Sequence, residues 1–278
     1  MSIAYYNGNF CNYDDIKIPL SDRCVFFGDG IYDAAIGRNG RIYLEDEHLE
    51  RFIGNAKKMN IHLPLKKHEL SMLLHKTAAL NGYTEYFIYF QLTRYSDERI
   101  HSYPDTEKSN LLITVKEHKI STPEHELKLI TAPDVRYHIC NVKTLNLLPN
   151  VLASKKAESL GCDEAVFIRN GIVTECAHSN ISIIKNGTLY THPKGKFILP
   201  GITRGRLLFL CEKLDISYKE IRFTEKDMKD ADEVLITSTT KVCKRVSEID
   251  GTEIKRENSL VGERLIFALC KDFERITC

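Results

Sequence analysis

The sequence predicts a mixed α/β protein of two domains, and three observations support that fold class. The chain has 278 residues, and at about 150 residues per domain this length favours two domains. Segments in which apolar residues recur at helical spacing alternate with short β-rich runs. Asn-Gly pairs stand between apolar runs at several points, and such pairs are typical of tight β-hairpin turns.

The first half of the chain contains both kinds of element. Asn39-Gly40 stands between two apolar runs and predicts a hairpin. Residues 47–59 and 70–80 carry apolar side chains at helical spacing, so we expect two amphipathic helices there. Residues 85–93 and 110–115 are rich in β-branched and aromatic residues and are predicted as buried strands.

The second half repeats the mixture with a stronger β pattern. Helices are expected at 147–160 and 203–214. Asn170-Gly171 and Asn186-Gly187 each stand between apolar runs and predict two more hairpins, and residues 233–237 predict a further strand.

A polar segment that contains proline, residues 119–126, is the predicted domain linker. It separates an N-terminal α/β domain at 1–118 from a C-terminal domain at 127–278.

Charge and cysteine content exclude several classes of protein. The net charge is +1, so we expect no nucleic-acid partner, since such proteins usually carry a basic excess. The apolar runs are shorter than the roughly 20 residues of a membrane span, and the first residues lack a signal-peptide pattern. The nine cysteines are odd in number and lack C-x-x-C spacing, which favours reduced thiols in a cytoplasmic protein.

Common catalytic motifs are absent from the sequence. Gly28-Asp29-Gly30 is followed by Asp33 where a dinucleotide-binding fingerprint needs its third glycine. The ten histidines form no paired ligand spacing, so no metal is predicted.

Lys143 lies among apolar residues, ahead of the helix predicted at 147–160. Desolvation lowers the basicity of a lysine in such surroundings and favours a nucleophilic amine. A lone lysine more commonly extends its ammonium group to solvent, which is the plainer interpretation of this residue alone.

Two further features make Lys143 part of a pattern. Glu175 ends a predicted strand, where its carboxylate is either an ordinary surface group or a partner for a heterocycle nitrogen. Leu199-Pro-Gly-Ile-Thr-Arg204 leads into a helix, so it is either an ordinary helix entry or an anion site formed by the N–H groups of Ile202 and Thr203. A Schiff-base lysine, an acidic partner for a pyridine nitrogen and a phosphate site are together what pyridoxal phosphate requires.

The motifs around these residues resemble those of the fold-type IV pyridoxal-phosphate enzymes. That family includes the class IV aminotransferases for branched-chain and D-amino acids and the aminodeoxychorismate lyases. The motifs are Phe27-Gly-Asp-Gly-Ile-Tyr32, His48-Leu-Glu-Arg51, Lys143-Thr-Leu-Asn-Leu-Leu148, Val173-Thr-Glu-Cys-Ala-His-Ser-Asn180 and Leu199-Pro-Gly-Ile-Thr-Arg204. The resemblance implies a smaller N-terminal α/β sandwich domain and a larger C-terminal pseudo-barrel domain, 127–278, that binds pyridoxal phosphate. It also implies a homodimer with shared active sites.

The resemblance also implies a role for each site residue. Lys143 would form the Schiff base with pyridoxal phosphate and then move the substrate proton. Glu175 would pair with the pyridine nitrogen, and Arg51 would bind the phosphate. The other implied cofactor contacts are Leu199, Ile202, Thr203, Ser238 and Thr239.

For the substrate, Arg99-Ile-His101 is similar to the R-x-H element of D-amino acid aminotransferases. In those enzymes the arginine and histidine, with a tyrosine that corresponds to Tyr32, bind the substrate carboxylate and reach in from the other subunit. The implied reaction is transamination between D-alanine or another D-amino acid and a 2-oxo acid such as 2-oxoglutarate. A solvated loop is the alternative for Arg99 and His101.

Departures from the D-specific pattern keep other functions open. Thr174-Glu-Cys176 is similar to the lyase branch, and Tyr95 follows Arg94 where D-specific enzymes carry a small residue. Aminodeoxychorismate lyase and branched-chain aminotransferase are therefore alternatives. A non-catalytic relative that keeps the fold is a third, against which Lys143 and Glu175 both argue.

Overall fold

The computed structural model describes residues 2–103, 105–120, 125–255 and 260–278. Its internal contacts divide the chain into two compact units. The first comprises Met1–Ile120, Val142–Asn146 and Glu274–Cys278, and the second Ser121–Asn141 and Leu147–Phe273. The segment that contains Lys143 thus belongs to the first unit. Residues 121–124 of the predicted linker lie outside the described residues, and the boundaries 1–118 and 127–278 stay a prediction.

The first unit contains an antiparallel sheet and the helices that pack on it. The strands are β1 (Ile3–Tyr6), β2 (Asn9–Asn12), β3 (Gly30–Arg38), β4 (Arg41–Ile42), β5 (Glu85–Arg94) and β6 (Ser109–Glu117). The helices are α1 (Arg23–Phe27), α2 (Glu45–Lys58) and α3 (Lys67–Asn81), with a short 3-10 helix at Tyr13–Asp15. The strand order is β2-β1-β6-β5-β3-β4, and all neighbours are antiparallel.

Periodicity explains which faces of these elements form the core. Leu49, Phe52 and Ala56 recur at helical spacing on α2 and are buried. In β5 alternate side chains are buried, and the Phe90 ring meets Phe52 with centroids 4.8 Å apart. Burial of side chains of this size stabilises the fold by roughly 1.5–3 kcal/mol each.

The second unit is a mixed sheet with helices around it. Its elements are β7 (Leu127–Pro133), α4 (Leu148–Ser159), β8 (Glu164–Arg169), β9 (Ile172–Cys176), β10 (Asn180–Lys185), β11 (Thr188–Thr191), α5 (Ile202–Lys213), β12 (Tyr218–Glu220), α6 (Glu225–Lys229), β13 (Glu233–Ser238), β14 (Val242–Ile249), β15 (Thr252–Glu253) and α7 (Val261–Thr277), whose last residues belong to the first unit. The strand order is β12-β11-β10-β13-β14-β7-β8-β9, with β15 on β14.

This second sheet curls back on itself. Its edge strand β9 also contacts β10, which lies near the opposite edge in the strand order. The Cys176 N–H donates to the Ser179 carbonyl at 2.8 Å, in the turn between the two strands. The mixed α/β class is confirmed, and this curled sheet fits the predicted pseudo-barrel.

The three predicted Asn-Gly hairpins are present. Asn39-Gly40, Asn170-Gly171 and Asn186-Gly187 each connect neighbouring antiparallel strands. Both residues of each pair have positive φ, for example 51° at Asn170 and 75° at Gly171. This is the type I′ geometry that matches the twist of the adjoining strands.

Two further features concern the thiols and the helices. Each of the nine cysteines, all within the described part of the chain, is free, as the sequence predicts. Across the described ranges, no helix has both the length and the apolar composition to cross a membrane.

Close packing in the first sheet predicts a stability effect at Gly37. This residue lies opposite Tyr86, and a Cβ atom at Gly37 would come within 2.3 Å of the Tyr86 Cζ atom. Tyr86 is only 1% exposed, so its ring has no room to move. We expect Gly37→Ala to lower the free energy of unfolding by about 1–3 kcal/mol in urea titrations.

The matched control is Gly54→Ala in α2, where nothing lies within 4 Å of an added Cβ. Because alanine favours a helix, this variant should be neutral or up to about 1 kcal/mol more stable. Equal destabilisation of the two variants would contradict the packing argument.

Candidate active site

Lys143 lies beside the start of β3. The Tyr32 N–H donates to the Lys143 carbonyl at 2.9 Å, and the Leu145 N–H donates to the Gly30 carbonyl at 3.1 Å. These bonds hold residues 142–146 against the strand. The Lys143 Nζ atom donates to the Tyr32 hydroxyl at 3.1 Å and lies 4.2 Å from the centre of its ring. The structure thus brings together the predicted catalytic lysine and a predicted substrate-binding tyrosine.

Arg51 belongs to a buried cluster with Asp33 and His48. His48 and Arg51 lie three positions apart on α2, hence on one face, and that face meets Asp33 of β3. Arg51 donates to both carboxylate oxygens, at 2.8 Å from Nε and 2.7 Å from Nη2. The His48 Nδ1 atom lies 2.8 Å from Asp33 Oδ1. The Asp33 carboxylate therefore fixes the orientation of the Arg51 guanidinium.

The charge states of this cluster follow from its burial. Burial alone would raise the pKa of Asp33, but Arg51 and His48 outweigh it and hold that pKa well below its usual range. Burial lowers the pKa of His48, and the positive charges of Arg51 and Lys143 lower it further, against the opposing effect of Asp33. Asp33 is therefore ionised at neutral pH, and a neutral His48 donates to it through Nδ1.

Glu175, at the end of β9, is buried, with only 5% of its surface exposed. Its Oε1 atom accepts from Arg136. Its Oε2 atom accepts from the Leu199 N–H at 3.0 Å and from the Asn180 side chain at 2.9 Å. The interpretation of Glu175 as an ordinary surface group is therefore wrong.

Arg136 holds Glu175 in place and is itself held by an ion pair with Asp134. Its Nε and Nη2 atoms donate to the two oxygens of Asp134, each at 3.0 Å. Burial would lower the pKa of Arg136, but the Asp134 and Glu175 carboxylates raise it above its usual value. Burial would raise the pKa of Asp134, but hydrogen bonds from Arg136 and Arg169 lower it to about 2. Asp134 and Arg136 therefore both stay charged at neutral pH.

The first turn of α5 lies beside Asn180. A Cβ atom on Gly201 would come within 2.0 Å of the Asn180 Oδ1 atom, so glycine permits this approach. Ile202 and Thr203 are the first two residues of the helix. Their N–H groups have no acceptor within the helix, because the first turn lacks preceding carbonyls. They are thus available to an anion at this end.

The end of β13 lies next to this turn. Asn180 is paired with Thr237 across the β10–β13 ladder, so their side chains share a face of the sheet. Ser238 follows, and its hydroxyl accepts from the Lys241 N–H at 3.2 Å; Thr239 comes next. The Thr237 hydroxyl is buried and has no hydrogen-bond partner within the described residues. The fold therefore gathers several polar groups near the start of α5.

Arg99 and His101 lie on an exposed loop after β5. The Arg99 guanidinium lies 5.4 Å from the centre of the Phe27 ring, and the His101 ring centre lies 5.4 Å from the same ring. In the part of the chain that the structure describes, neither side chain is hydrogen-bonded to Tyr32. Their role toward a carboxylate stays a prediction.

Comparison with known proteins identifies the family. Residues 30–249 match the family described as amino-transferase class IV. The chain belongs to this family. It is 38% identical over 259 residues to the D-alanine aminotransferase of Staphylococcus epidermidis, and the match covers 92% of each sequence. The predicted family and enzyme class are confirmed.

Solved structures show the same fold as this class IV aminotransferase. A branched-chain aminotransferase from Thermoproteus uzoniensis superimposes with a TM-score of 0.91 at 20% identity, covering 99% of this chain and 95% of that one. A Legionella pneumophila protein provisionally named 4-amino-4-deoxychorismate lyase gives 0.86 at 25% identity, covering 94% and 97%. Proteins whose names give different reactions thus share this fold.

Sequence reasoning did not single out several residues that build this site. His48 and Asn180 stand inside the family motifs, and their places in those motifs were the available signal. Asp134 and Arg136 stand outside those motifs, and no spacing links them to Glu175.

The depressed pKa of Asp134 predicts a pH-dependent contribution to stability. The folded-state pKa is about 2, below the ordinary value of about 4. The ionised carboxylate therefore stabilises the folded state above about pH 4, and the stabilisation is lost as pH falls toward 2. We expect Asp134→Asn to lower the free energy of unfolding by about 2 kcal/mol at pH 7, and by less at pH 3, in urea titrations.

Asp14→Asn serves as the control, because Asp14 is exposed. It should leave stability nearly unchanged at both pH values. A deficit in Asp134→Asn that is the same at pH 7 and pH 3 would rule out the ionic origin.

Proposed function

We propose that this chain catalyses pyridoxal-phosphate-dependent transamination between a D-amino acid, D-alanine foremost, and a 2-oxo acid such as 2-oxoglutarate. The identity of 38% to a D-alanine aminotransferase over 92% of the chain supports the substrate class. The Arg99-Ile-His101 element agrees with it. We further propose that the enzyme is a cytoplasmic homodimer with shared active sites.

The observation that carries the cofactor proposal is the buried carboxylate of Glu175. Its oxygens are fixed by Arg136, Leu199 and Asn180, so it presents a carboxylate in a set direction. Such a group suits the N–H of a protonated pyridine. The first N–H groups of α5 and the buried Thr237 hydroxyl suit a phosphate. These residues fit pyridoxal phosphate.

Each cofactor-binding residue then has a distinct task. Arg51, oriented by Asp33, supplies positive charge for the phosphate dianion. Glu175 would accept from the ring nitrogen, and Leu199 keeps the Glu175 carboxylate in place. The remaining proposed phosphate contacts are Ile202, Thr203, Ser238 and Thr239.

Lys143 is the proposed catalytic residue. When bound, pyridoxal phosphate supplies an electron sink for negative charge at the substrate Cα atom. Lys143 would hold the cofactor through its Nζ atom, and the same amine would move the proton at the substrate Cα atom. The Tyr32 hydroxyl, 3.1 Å from Nζ, orients this amine.

Tyr32, Arg99 and His101 are the proposed ligands of the substrate carboxylate. A guanidinium fork binds a carboxylate with two parallel hydrogen bonds. Arg99 and His101 are exposed in the single chain, which suits a loop that serves the site of a second subunit.

Aminodeoxychorismate lyase is the second candidate function. Thr174-Glu-Cys176 favours it, and the fold similarity to the Legionella pneumophila protein at 25% identity agrees with it. A lyase would release pyruvate from aminodeoxychorismate and would need no amino acceptor.

Stereochemistry tests the proposal directly. In single-turnover mixing, followed through the visible absorbance of the bound cofactor, we expect D-alanine to react at least about a hundredfold faster than L-alanine. Reaction with L-alanine alone would overturn the D-specific assignment. Pyruvate formation from aminodeoxychorismate without a 2-oxo acid, and no turnover of D-alanine, would establish the lyase instead.

Substitution of Lys143 tests the catalytic assignment. Because the variant lacks the amine that carries the proton, Lys143→Ala should lower the transamination rate by at least about a thousandfold. Borohydride treatment of the native enzyme, followed by peptide mass spectrometry, should find the reduced cofactor on Lys143. Lys155→Ala is the control, because the Lys155 side chain is 70% exposed. A colourless native protein with no modified lysine would refute the enzyme assignment.

A further inference from the structure

A buried arginine holds the loop that carries Arg99 and His101. Arg23 is only 3% exposed, and its Nε atom donates to Asp29 at 2.9 Å. Its Nη1 atom donates to the Ile100 carbonyl at 2.7 Å, and its Nη2 atom to the His101 carbonyl at 3.2 Å. The two outer nitrogen atoms of the guanidinium therefore bind the backbone next to the predicted carboxylate ligands. Ile100 lies between these two ligands, and His101 is one of them.

Asp29 binds Arg94 as well as Arg23, and this second ion pair restricts the movement of the Asp29 carboxylate. The Arg94 Nε atom donates to Asp29 at 2.9 Å, and the Arg94 guanidinium lies 3.6 Å from the centre of the Tyr103 ring. The Asp29 carboxylate thus orients two arginines. Arg23 binds the backbone of residues 100–101, and Arg94 lies against the Tyr103 ring. The loop between β5 and Tyr103 is tied at both places.

Phe27 provides a common surface for the same residues. The guanidinium of Arg23 lies 4.7 Å from the centre of the Phe27 ring and that of Arg99 lies 5.4 Å from it, while the His101 ring lies against the same ring. Cations are attracted to the face of an aromatic ring. Phe27 therefore limits the directions that the Arg99 and His101 side chains adopt.

The backbone of this loop is fixed while its functional groups stay available. Within the described residues, the Arg99 and His101 side chains make ring contacts and no hydrogen bond, so their donors are free for a ligand. Fixing ligand-binding groups before the ligand arrives lowers the entropy cost of binding.

We propose that Arg23 is a positioning residue for substrate carboxylate recognition, acting through the backbone of Ile100 and His101 on the Arg99 and His101 side chains. This inference rests on the proposed function, in which those two side chains bind the carboxylate. The inference does not depend on which subunit's active site Arg99 and His101 serve.

Arg23→Lys is the decisive variant. Lysine keeps the positive charge beside Asp29 but cannot donate to two carbonyls through a planar fork. Propionate is a suitable probe, since it offers a carboxylate without an amino group. We expect the KM for D-alanine and the Ki for propionate to rise together by about tenfold, as for loss of a charge-assisted hydrogen bond. The kcat should change by less than about twofold, because Lys143 is untouched.

The matched control is Arg38→Lys. Arg38 pairs with Glu85 in the same sheet, away from the loop, so KM and Ki should not change. A double-mutant cycle adds a second readout: Arg99→Ala should raise the Ki for propionate less in Arg23→Lys than in the native enzyme, since the two residues act in series. Should Arg23→Lys not fold, Phe27→Leu carries the test, with KM and Ki raised by about threefold.

The outcomes separate this inference from the proposed function. If the native holoenzyme does not react with D-alanine, the proposed function fails before any variant is compared. If it does react, an unchanged Ki for propionate in Arg23→Lys overturns the positioning role and leaves the function intact. A fall in kcat with an unchanged Ki, or fully additive effects with Arg99→Ala, also overturns it.

Discussion

The pairing of buried carboxylates with arginines is the constraint on which this structure depends. An unpaired carboxylate costs several kcal/mol to remove from water, and a cation with good geometry offsets that cost. Such pairs include Asp33 with Arg51 and both Asp134 and Glu175 with Arg136. The partly buried Asp29 pairs in the same way with Arg23 and Arg94. Because a guanidinium is planar, each pair also fixes a direction.

Because side-chain direction alternates along a strand, consecutive residues of β3 contact different parts of the structure. Successive side chains of β3 point to opposite faces, so Tyr32 meets Lys143 while Asp33 meets Arg51 of α2. In the second unit, β9 and β10 bring Glu175 and Asn180 together across a short turn. Strand positions thus fix where Tyr32, Asp33, Glu175 and Asn180 stand.

Local signals predict a large part of the fold. The helix predicted at 47–59 is Glu45–Lys58, and the strand predicted at 85–93 is Glu85–Arg94. Both follow from a periodicity that is complete within one segment. No local signal was found for β7, which pairs in parallel with β8 and β14. A parallel strand has no hairpin turn next to it, so its partners are set by distant residues.

Family motifs and turn residues could be read directly from the chain, because each depends on residues a few positions apart. They indicated that Lys143, Glu175 and the start of α5 belong to one site, suited to pyridoxal phosphate. Only the folded chain decided which groups hold them: Arg136 meets Glu175 from 39 positions away, and Tyr32 meets Lys143 from 111. Arg23 likewise reaches carbonyls 77 and 78 positions distant. Such partners leave no spacing in the sequence, because a hydrogen bond depends on where the packed backbone brings two atoms rather than on their separation along the chain.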